Sequence, residues 1–357
     1  MDGTGDWDDF DTAAALIAGA TTAVELFGPA QADRIAAARS EYRRLARLCH
    51  PDRHGIDRRP LATAAFTRLA TLWQSWKTGP DAGPGGTPPP VVLTTTHHTW
   101  RVGPFIDAGD ATNRYEGTDA DDPSRRVSLE IPRRAMDSDF VAHEAVVLTH
   151  LAASVDDQWR PYLPELVESF RHRDAEGFDR QINVIEPLTG FVSLETVRVA
   201  YPDGLDPRDV AWMWRRLLVA LGAAHHAGVV HGAVLPDRVM IHPAEHGLVL
   251  REWGHAVLAP GGRVLAVAAR YKDWYPPEVP ARRPAGPPTD IFLATRTMAW
   301  LMGERIPRAL RAFVDGCTLA EPAMRPADAW ELLEELDDLI ERLWGPRRFR
   351  PLHLPTT

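Results

Sequence analysis

Arg34-Ile35-Ala36-Ala37-Ala38-Arg39-Ser40-Glu41-Tyr42-Arg43-Arg44-Leu45-Ala46-Arg47-Leu48-Cys49-His50-Pro51-Asp52 is the stretch from which the N-terminal fold is read. Ile35, Ala38, Tyr42, Leu45 and Cys49 recur at spacings of three and four, which lines one face of a helix. Arg39, Arg43 and Arg47 form a second stripe at i,i+4, with Arg44 beside it. Pro51 biases His50 away from helical geometry, so the helix is expected to stop there. After the loop, Ala62, Ala65, Phe66, Leu69, Leu72, Trp73 and Trp76 fall on one face of a second helix. Two helices joined by a short polar loop make a helical hairpin. Like charges at i,i+4 repel by about 0.2–0.5 kcal/mol per pair, and Glu41 is the one acid between Arg39 and Arg47. Such a stripe beside an exposed turn suits an acidic partner.

Tyr42-Arg43-Arg44-Leu45-Ala46 followed by His50-Pro51-Asp52, with Phe66, Leu69, Leu72 and Trp73 on the next helix, resembles the J-domain of DnaJ-type co-chaperones. Leu26-Phe27-Gly28 looks like the end of that family's short first helix, although the usual aromatic pair of that helix is missing. The resemblance covers about residues 20–77. It implies contact with a DnaK-type chaperone. Arg39, Arg43, Arg44 and Arg47 would meet an acidic groove on the chaperone, Asp52 would pair with a basic group there, and the His50-Pro51-Asp52 loop would trigger ATP hydrolysis in the partner.

Composition sets bounds on the rest. At 45% hydrophobic and 25% charged residues, the chain is an ordinary globular one. A net charge of -9 argues against general nucleic-acid binding. With Cys49 and Cys317 as its two cysteines, the chain has no disulfide framework and fits a reducing compartment. Met1 to Asp11 is acidic, unlike a secretory or transit leader. The most apolar run, Leu217 to Leu235, is interrupted by histidines. A cytoplasmic protein without membrane contact is expected.

Gly79 to Pro90 reads as a Gly/Pro linker. The expected organisation is a helical domain over 1–78, the linker over 79–90, an α+β domain over 91–345, and a basic tail over 346–357. The tail, with Arg347, Arg348 and Arg350 around Phe349, is expected to be solvated. Strands are expected at Trp100–Ile106, Val127–Ile131, Leu166–Phe170 and Ile182–Ile185, with helices dominating afterwards. Among the histidines, His97-His98 reads as a solvated pair and no metal site is expected.

Within 98–345 an ordered set of segments resembles the protein-kinase fold. Ile106 to Tyr115 sits where the Gly-rich loop belongs. Val127-Ser128-Leu129-Glu130-Ile131-Pro132 looks like the strand that carries the ATP-binding lysine, and Glu144 like the helix glutamate that pairs with it. Asn183 to Leu188 looks like the hinge. Val229 to Met240 matches the catalytic loop, and Leu248 to Gly254 the metal-binding loop. Trp274 to Glu278, Thr289-Asp290-Ile291-Phe292 and Met324-Arg325-Pro326 complete the large lobe. The expected fold class is therefore multidomain: an all-α J-domain-like helical hairpin, then an α+β bilobal kinase-like fold with a small lobe over about 91–186 and a large lobe over about 187–345.

Measured against this resemblance, the chemistry looks depleted. Phosphoryl transfer needs a phosphate-cradling loop, a lysine, a base and metal ligands. Gly109 remains of the glycines. Glu130 stands for the lysine, and Lys77 and Lys272 are the chain's two lysines. Ala233 stands for the catalytic aspartate, Arg238 for the metal-binding asparagine and Glu252 for the metal-binding aspartate, before Gly254. Glu130, Glu144 and Glu252 together would repel a triphosphate unless metals or neighbouring arginines neutralised them. His231, Glu278, Asp290 and Arg325 stand at positions that are structural in the family. Between Gly254 and Pro276 there is no serine or threonine. The expectation is a pseudokinase: no catalytic residue, no cofactor, no chemistry of its own. It would be fused to a J-domain that engages a DnaK-type chaperone on behalf of an unknown client. The rival expectations are an atypical kinase or nucleotide-binding switch that uses Glu252 and a migrated cationic group, and a scaffold with a vestigial J-domain.

Overall fold

A computed structural model describes residues 10–20, 22–28, 35–55, 58–78, 91–174, 177–258 and 261–354. The chain divides into two compact units, Met1–Pro89 and Pro90–Thr357. The Gly/Pro stretch 79–90 lies outside the described residues.

In the first unit, helices α1 (Phe10–Gly19), α2 (Ala23–Phe27), α3 (Ile35–Leu48) and α4 (Arg59–Thr78) share one core. Ile17, Leu45, Cys49 and Ala62 are fully buried in it. Tyr42, Trp73 and Trp76 stack in series, with ring centroids 4.8 and 5.3 Å apart, and Phe27 meets Trp73 edge-on at 5.2 Å. The sequence reading did not anticipate α1. Its Phe-Asp-Thr-Ala-Ala-Ala-Leu-Ile-Ala-Gly is mostly small, so its periodicity is weak, and tertiary partners complete it. Arg68 on α4 donates to the carbonyls of Ile17 and Ala20 at 2.9 and 2.5 Å, satisfying acceptors that a helix end leaves open. The Trp76 indole likewise donates to the Gly28 carbonyl at 2.7 Å.

The second unit begins with β1 (Val92–Thr94), β2 (Thr99–Ala108), β3 (Thr112–Asp119), β4 (Arg126–Pro132), α5 (Ser138–Ser154), β5 (Leu166–Arg173) and β6 (Asp179–Ile185). The strands form one antiparallel sheet in the order β1-β2-β3-β4-β6-β5. Helix α5 is tied to the sheet where the Asn183 amide donates to the Val141 carbonyl at 2.9 Å. Beneath lies a helical lobe: β7 (Val192–Ser193), α6 (Leu194–Ala200), α7 (Pro207–His226), β8 (Val239–His242), β9 (Gly247–Leu250), α8 (Pro287–Met302), α9 (Arg308–Cys317) and α10 (Ala329–Trp344). Strands β7, β8 and β9 pair in that order. Asp206 caps α7 through the Arg208 N–H, with Pro207 in the first helical position, the arrangement a helix start favours. Apolar residues then run around most of α7, so it is buried as the lobe's axis.

The tail is exposed at Pro346 to Phe349, as expected, and departs from the expectation in being held to the lobe. Phe349 packs 4.4 Å from the His246 ring, which itself stacks on Trp212 at 4.0 Å. Arg350 pairs with Asp209 at 3.3 Å, Leu352 is buried, and the Tyr201 hydroxyl donates to the His353 carbonyl. Charge and one aromatic ring dock what composition alone marks as solvated. His98 is also not free: its Nδ1 lies 2.8 Å from Asp119. No helix among the described residues is long and apolar enough to cross a membrane.

Glu278 and Arg325 form a bidentate pair at 2.7 and 3.0 Å, both side chains almost fully buried. Removing one partner of such a pair strands the other's charge, at a cost of about 3–5 kcal/mol. Arg325→Ala is therefore expected to lower the urea midpoint of the second unit sharply. The guanidinium holds the Glu278 carboxyl below its usual range despite burial. The folded state thus binds fewer protons than the unfolded chain, and the pair's contribution is present at neutral pH and fades as acid protonates Glu278. Denaturation curves of parent and variant should converge on acidification; a gap that stays constant would refute the assignment.

Candidate functional site

Strand register places one row of side chains across the sheet. Asp107 on β2 is opposite Arg114 on β3, Arg114 is opposite Glu130 on β4, and Glu130 is opposite Asn183 on β6. Residues directly opposite in an antiparallel pair share a face. The row faces the lower lobe, where Glu252 follows β9. Arg114 Nη1 lies 2.9 Å from Glu252 Oε1 and 3.7 Å from Glu130, and its Nε bonds to Asp107. Burial works against the Arg114 charge, but Glu252, Asp107 and Glu130 together hold it protonated. Arg126 lies at the wall of the cleft, exposed and paired with Glu116 at 2.9 Å.

Glu252 is the centre of the cluster. Its second oxygen lies 3.0 Å from Arg238 Nε, and these guanidiniums hold its carboxyl well below the usual range although it is buried. Its backbone is left-handed, φ 65° and ψ 61°, a conformation that costs a non-glycine residue free energy. Gly109, in the β2–β3 turn, approaches so closely that a Cβ there would stand 2.6 Å from Glu252 Oε1. Gly254 is required in the same way, since its Cβ would fall 2.2 Å from the Phe140 ring. Glu144 on α5 accepts from the Trp253 N–H at 2.8 Å. Burial pushes the Glu144 carboxyl well above its usual range, with Glu130, its hydrogen-bond partner, adding to the rise.

The loop before β8 is braced from below. Asp290 accepts from the His231 and Gly232 N–H groups at 2.7 and 2.8 Å and bonds to His225 at 2.9 Å. His231 Nδ1 accepts from the Ala233 N–H, so Nε2–H donates to the Arg251 carbonyl at 3.0 Å. Burial lowers this histidine to about 4, which keeps it neutral. The Ala233 methyl is buried and contributes no acid–base group. Arg238 is fully buried; besides Glu252 it bonds to Asp110. Asp110 also lies 3.3 Å from His255 Nε2. Asp237, beside Arg238, is pushed up to about 6 by burial against the pull of that arginine.

Above the cluster opens a cleft of about 550 Å³, walled by Ile106, Val127, Ile185, Leu188, Phe191 and Met240, and reaching Asp107, Arg114, Arg251 and Glu252 at its inner end. The apolar walls suit a flat ring. The inner end does not suit a magnesium ion. Both Glu252 oxygens are committed to arginines, Arg238 adds a positive charge, and the described residues hold no group of three acidic, histidine or cysteine side chains arranged for a metal.

In the first unit, Arg39, Arg43 and Arg47 are exposed along α3, while half-buried Arg44 is held bidentate by Glu41 at 3.0 and 2.7 Å. His50 is exposed, with its ring 5.4 Å from Phe66, and Pro51 is half-buried. The Asp52 side chain lies outside those described. The sequence reading missed Arg114, Arg251, Asp107, Asp110 and Asp237 as functional groups. Only the register, with Arg114 opposite Glu130, could have marked them.

No family model matches the chain. The chain is 41% identical over 59 residues to casein kinase II subunit alpha' of Saccharomyces cerevisiae, a match spanning 16% of this chain and 17% of that protein. Its structure is similar to the crystal structure of the BubR1 kinase domain, with a TM-score of 0.56 and 14% identity, over 73% of this chain and 85% of that one. The fold of the second unit is protein-kinase-like.

These likenesses correct the expectation of a module without chemistry: both proteins are kinases by name. The physical reason lies in the cluster. Position-by-position comparison counts Glu130, Ala233, Arg238 and Glu252 as losses, whereas the structure supplies cations from Arg114, Arg238 and Arg251 and a titratable carboxyl from Asp237.

The Glu144 carboxyl gives a test of the cluster's electrostatics. The folded state keeps this proton where the unfolded chain releases it, near pH 4.3. Folding therefore takes up a proton, and stability falls as pH rises above that point. Glu144→Gln keeps the hydrogen bonds and removes the loss. Its stability relative to the parent is expected to climb as the pH rises above about 4; a difference independent of pH would mean that the carboxyl is ionised in the fold.

Proposed function

We propose that residues 90–357 are an atypical kinase-type switch that binds a nucleoside triphosphate through arginines in place of the lysine and metal. The observation that carries this reading is the buried, charged Arg114 beneath the cleft, in contact with Glu252. A guanidinium presents several donors in a fixed fork suited to phosphate oxygens. The flat base would lie between Val127 and Met240, with its phosphates toward Arg114 and Arg251, which line the inner end of the cleft. Asp237 would take the proton of an acceptor hydroxyl as the terminal phosphoryl group moves to it.

The test is calorimetric and radiometric, with EDTA present. ATP at 100 times its Kd should stabilise the protein by about 2.7 kcal/mol. Arg251→Ala should lose ATP binding and keep adenosine binding. Asp237→Asn should keep ATP binding and lower label transfer from the γ-phosphate by about 10²–10⁴. A protein that binds neither ATP nor adenosine would refute this reading.

A second reading concerns residues 10–78. It is favoured by the exposure of Arg39, Arg43, Arg47 and His50 along α3 and the loop after it. This unit would engage a DnaK-type chaperone, with the second unit sensing a client protein. The full chain is then expected to accelerate ATP hydrolysis by the chaperone, His50→Gln to abolish the effect without unfolding, and Arg43→Ala to weaken it. Added salt should mimic that weakening, since exposed charges are screened over about 10 Å at 0.1 M. Stimulation that survives His50→Gln would exclude this reading.

A further inference from the structure

Strand β2 and the turn after it bring two carboxylates, Asp107 and Asp110, to the arginine cluster, and Asp107 lines the cleft. Asp107 bonds to Arg114 and lies 3.0 Å from Arg251, while Asp110 bonds to Arg238. These three guanidiniums come from separate elements: Arg114 from β3, Arg238 from the loop before β8 and Arg251 from the end of β9. We infer that they form a polyphosphate site and that Asp107 and Asp110 are built-in stand-ins for phosphate, which hold the site shut until an anion displaces them. This rests on the nucleotide reading and deepens it by naming the phosphate-binding groups and their control.

Burial divides the cluster into a fixed part and a replaceable part. The side chains of Arg114, Arg238 and Arg251 are 5%, 0% and 13% exposed, whereas those of Asp107 and Asp110 are 36% and 28% exposed. The cations belong to the framework, locked by Glu252 from below and, for Arg251, by the Asp237 carbonyl at 3.0 Å. The acids lie on the solvent side, on the tip of a hairpin. That tip is loosely laddered: β2 changes register against β3 between Val102 and Phe105 and again between Phe105 and Asp107. Phe105 and Ile106 are exposed there, with Phe105 meeting Tyr115 edge-on at 5.7 Å. The cleft reaches Asp107, Arg114 and Arg251 directly, so an anion arriving along it meets the carboxylate–guanidinium pairs first. A phosphate chain offers more acceptor oxygens and more charge than a carboxylate does, and guanidinium–phosphate bonds are among the strong hydrogen bonds. Exchange therefore replaces weaker anions with a stronger one while the cations stay in place.

The probe is inorganic tripolyphosphate with EDTA at low ionic strength, titrated calorimetrically into the full chain. Asp107→Asn combined with Asp110→Asn removes the internal anions and keeps the side-chain shape. The double variant is expected to bind tripolyphosphate about tenfold more tightly than the parent, roughly 1.4 kcal/mol, with adenosine affinity unchanged. In the parent, saturating tripolyphosphate should speed hydrogen exchange at the Gly109 N–H, which is bonded to the Thr112 carbonyl at 2.9 Å in the closed turn. That exchange measurement decides the matter if the double variant does not fold. Equal or weaker tripolyphosphate binding by a folded double variant, or binding to the parent with no change at Gly109, overturns the inference. If adenosine binds and tripolyphosphate binds neither form, this inference fails and the base-binding half of the nucleotide reading stands. If tripolyphosphate behaves as expected and neither adenosine nor ATP binds, the nucleotide reading fails and the anion site stands.

Discussion

The contact between Arg114 and Glu252 organises the second unit. It joins the sheet to the lower lobe across the cleft floor at 2.9 Å, with both side chains about 95% buried. Neither charge is tolerable there alone, since an isolated buried ion carries a penalty of several kcal/mol. Each therefore requires the other, and each recruits further partners: Asp107 and Glu130 around the arginine, Arg238 around the glutamate. The left-handed backbone at Glu252 and the closeness of Gly109 follow from the same demand, because both let the carboxylate reach its two guanidiniums. A buried pair of this kind adds little net stability over an apolar core. It serves to fix which atoms meet.

The sequence reveals most where spacing is local. The catalytic-loop segment, the Glu278 and Arg325 positions and the α3 periodicity lie within short windows, and their types suffice to place them. It reveals least where pairing is between distant strands. Strand β3, Thr-Asn-Arg-Tyr-Glu-Gly-Thr-Asp, is too polar to read as a buried strand, so the sequence by itself puts Arg114 in a loop. The same polarity is what a strand facing a charged cluster needs. Missing the strand meant missing the cation, and missing the cation made Glu130 look like a simple loss. The tail was misread for a related reason. The ring stack of Trp212, His246 and Phe349 joins positions more than a hundred residues apart, and no window spans them.

Helix α1 shows how a weak local signal is completed by a distant one. Arg68 bonds to the carbonyls of Ile17 and Ala20 across some fifty residues of chain, and the exposed end of α1 becomes an internal surface of the first unit. The aromatic series of Tyr42, Trp73 and Trp76 does the same between α3 and α4. The arginine stripe is thereby presented on a helix whose opposite face is held by rings rather than by charge.

The proposed use of arginines in place of a metal has one further consequence. A clamp that depends on a dissolved cation reads two supplies at once, the ion and its ligand, and falls silent when either runs short. Arg114, Arg238 and Arg251 are covalent parts of the chain, and a guanidinium does not deprotonate in the accessible pH range. Their charge can be neither chelated nor diluted. A site built this way would need no second, dissolved partner to hold its anion.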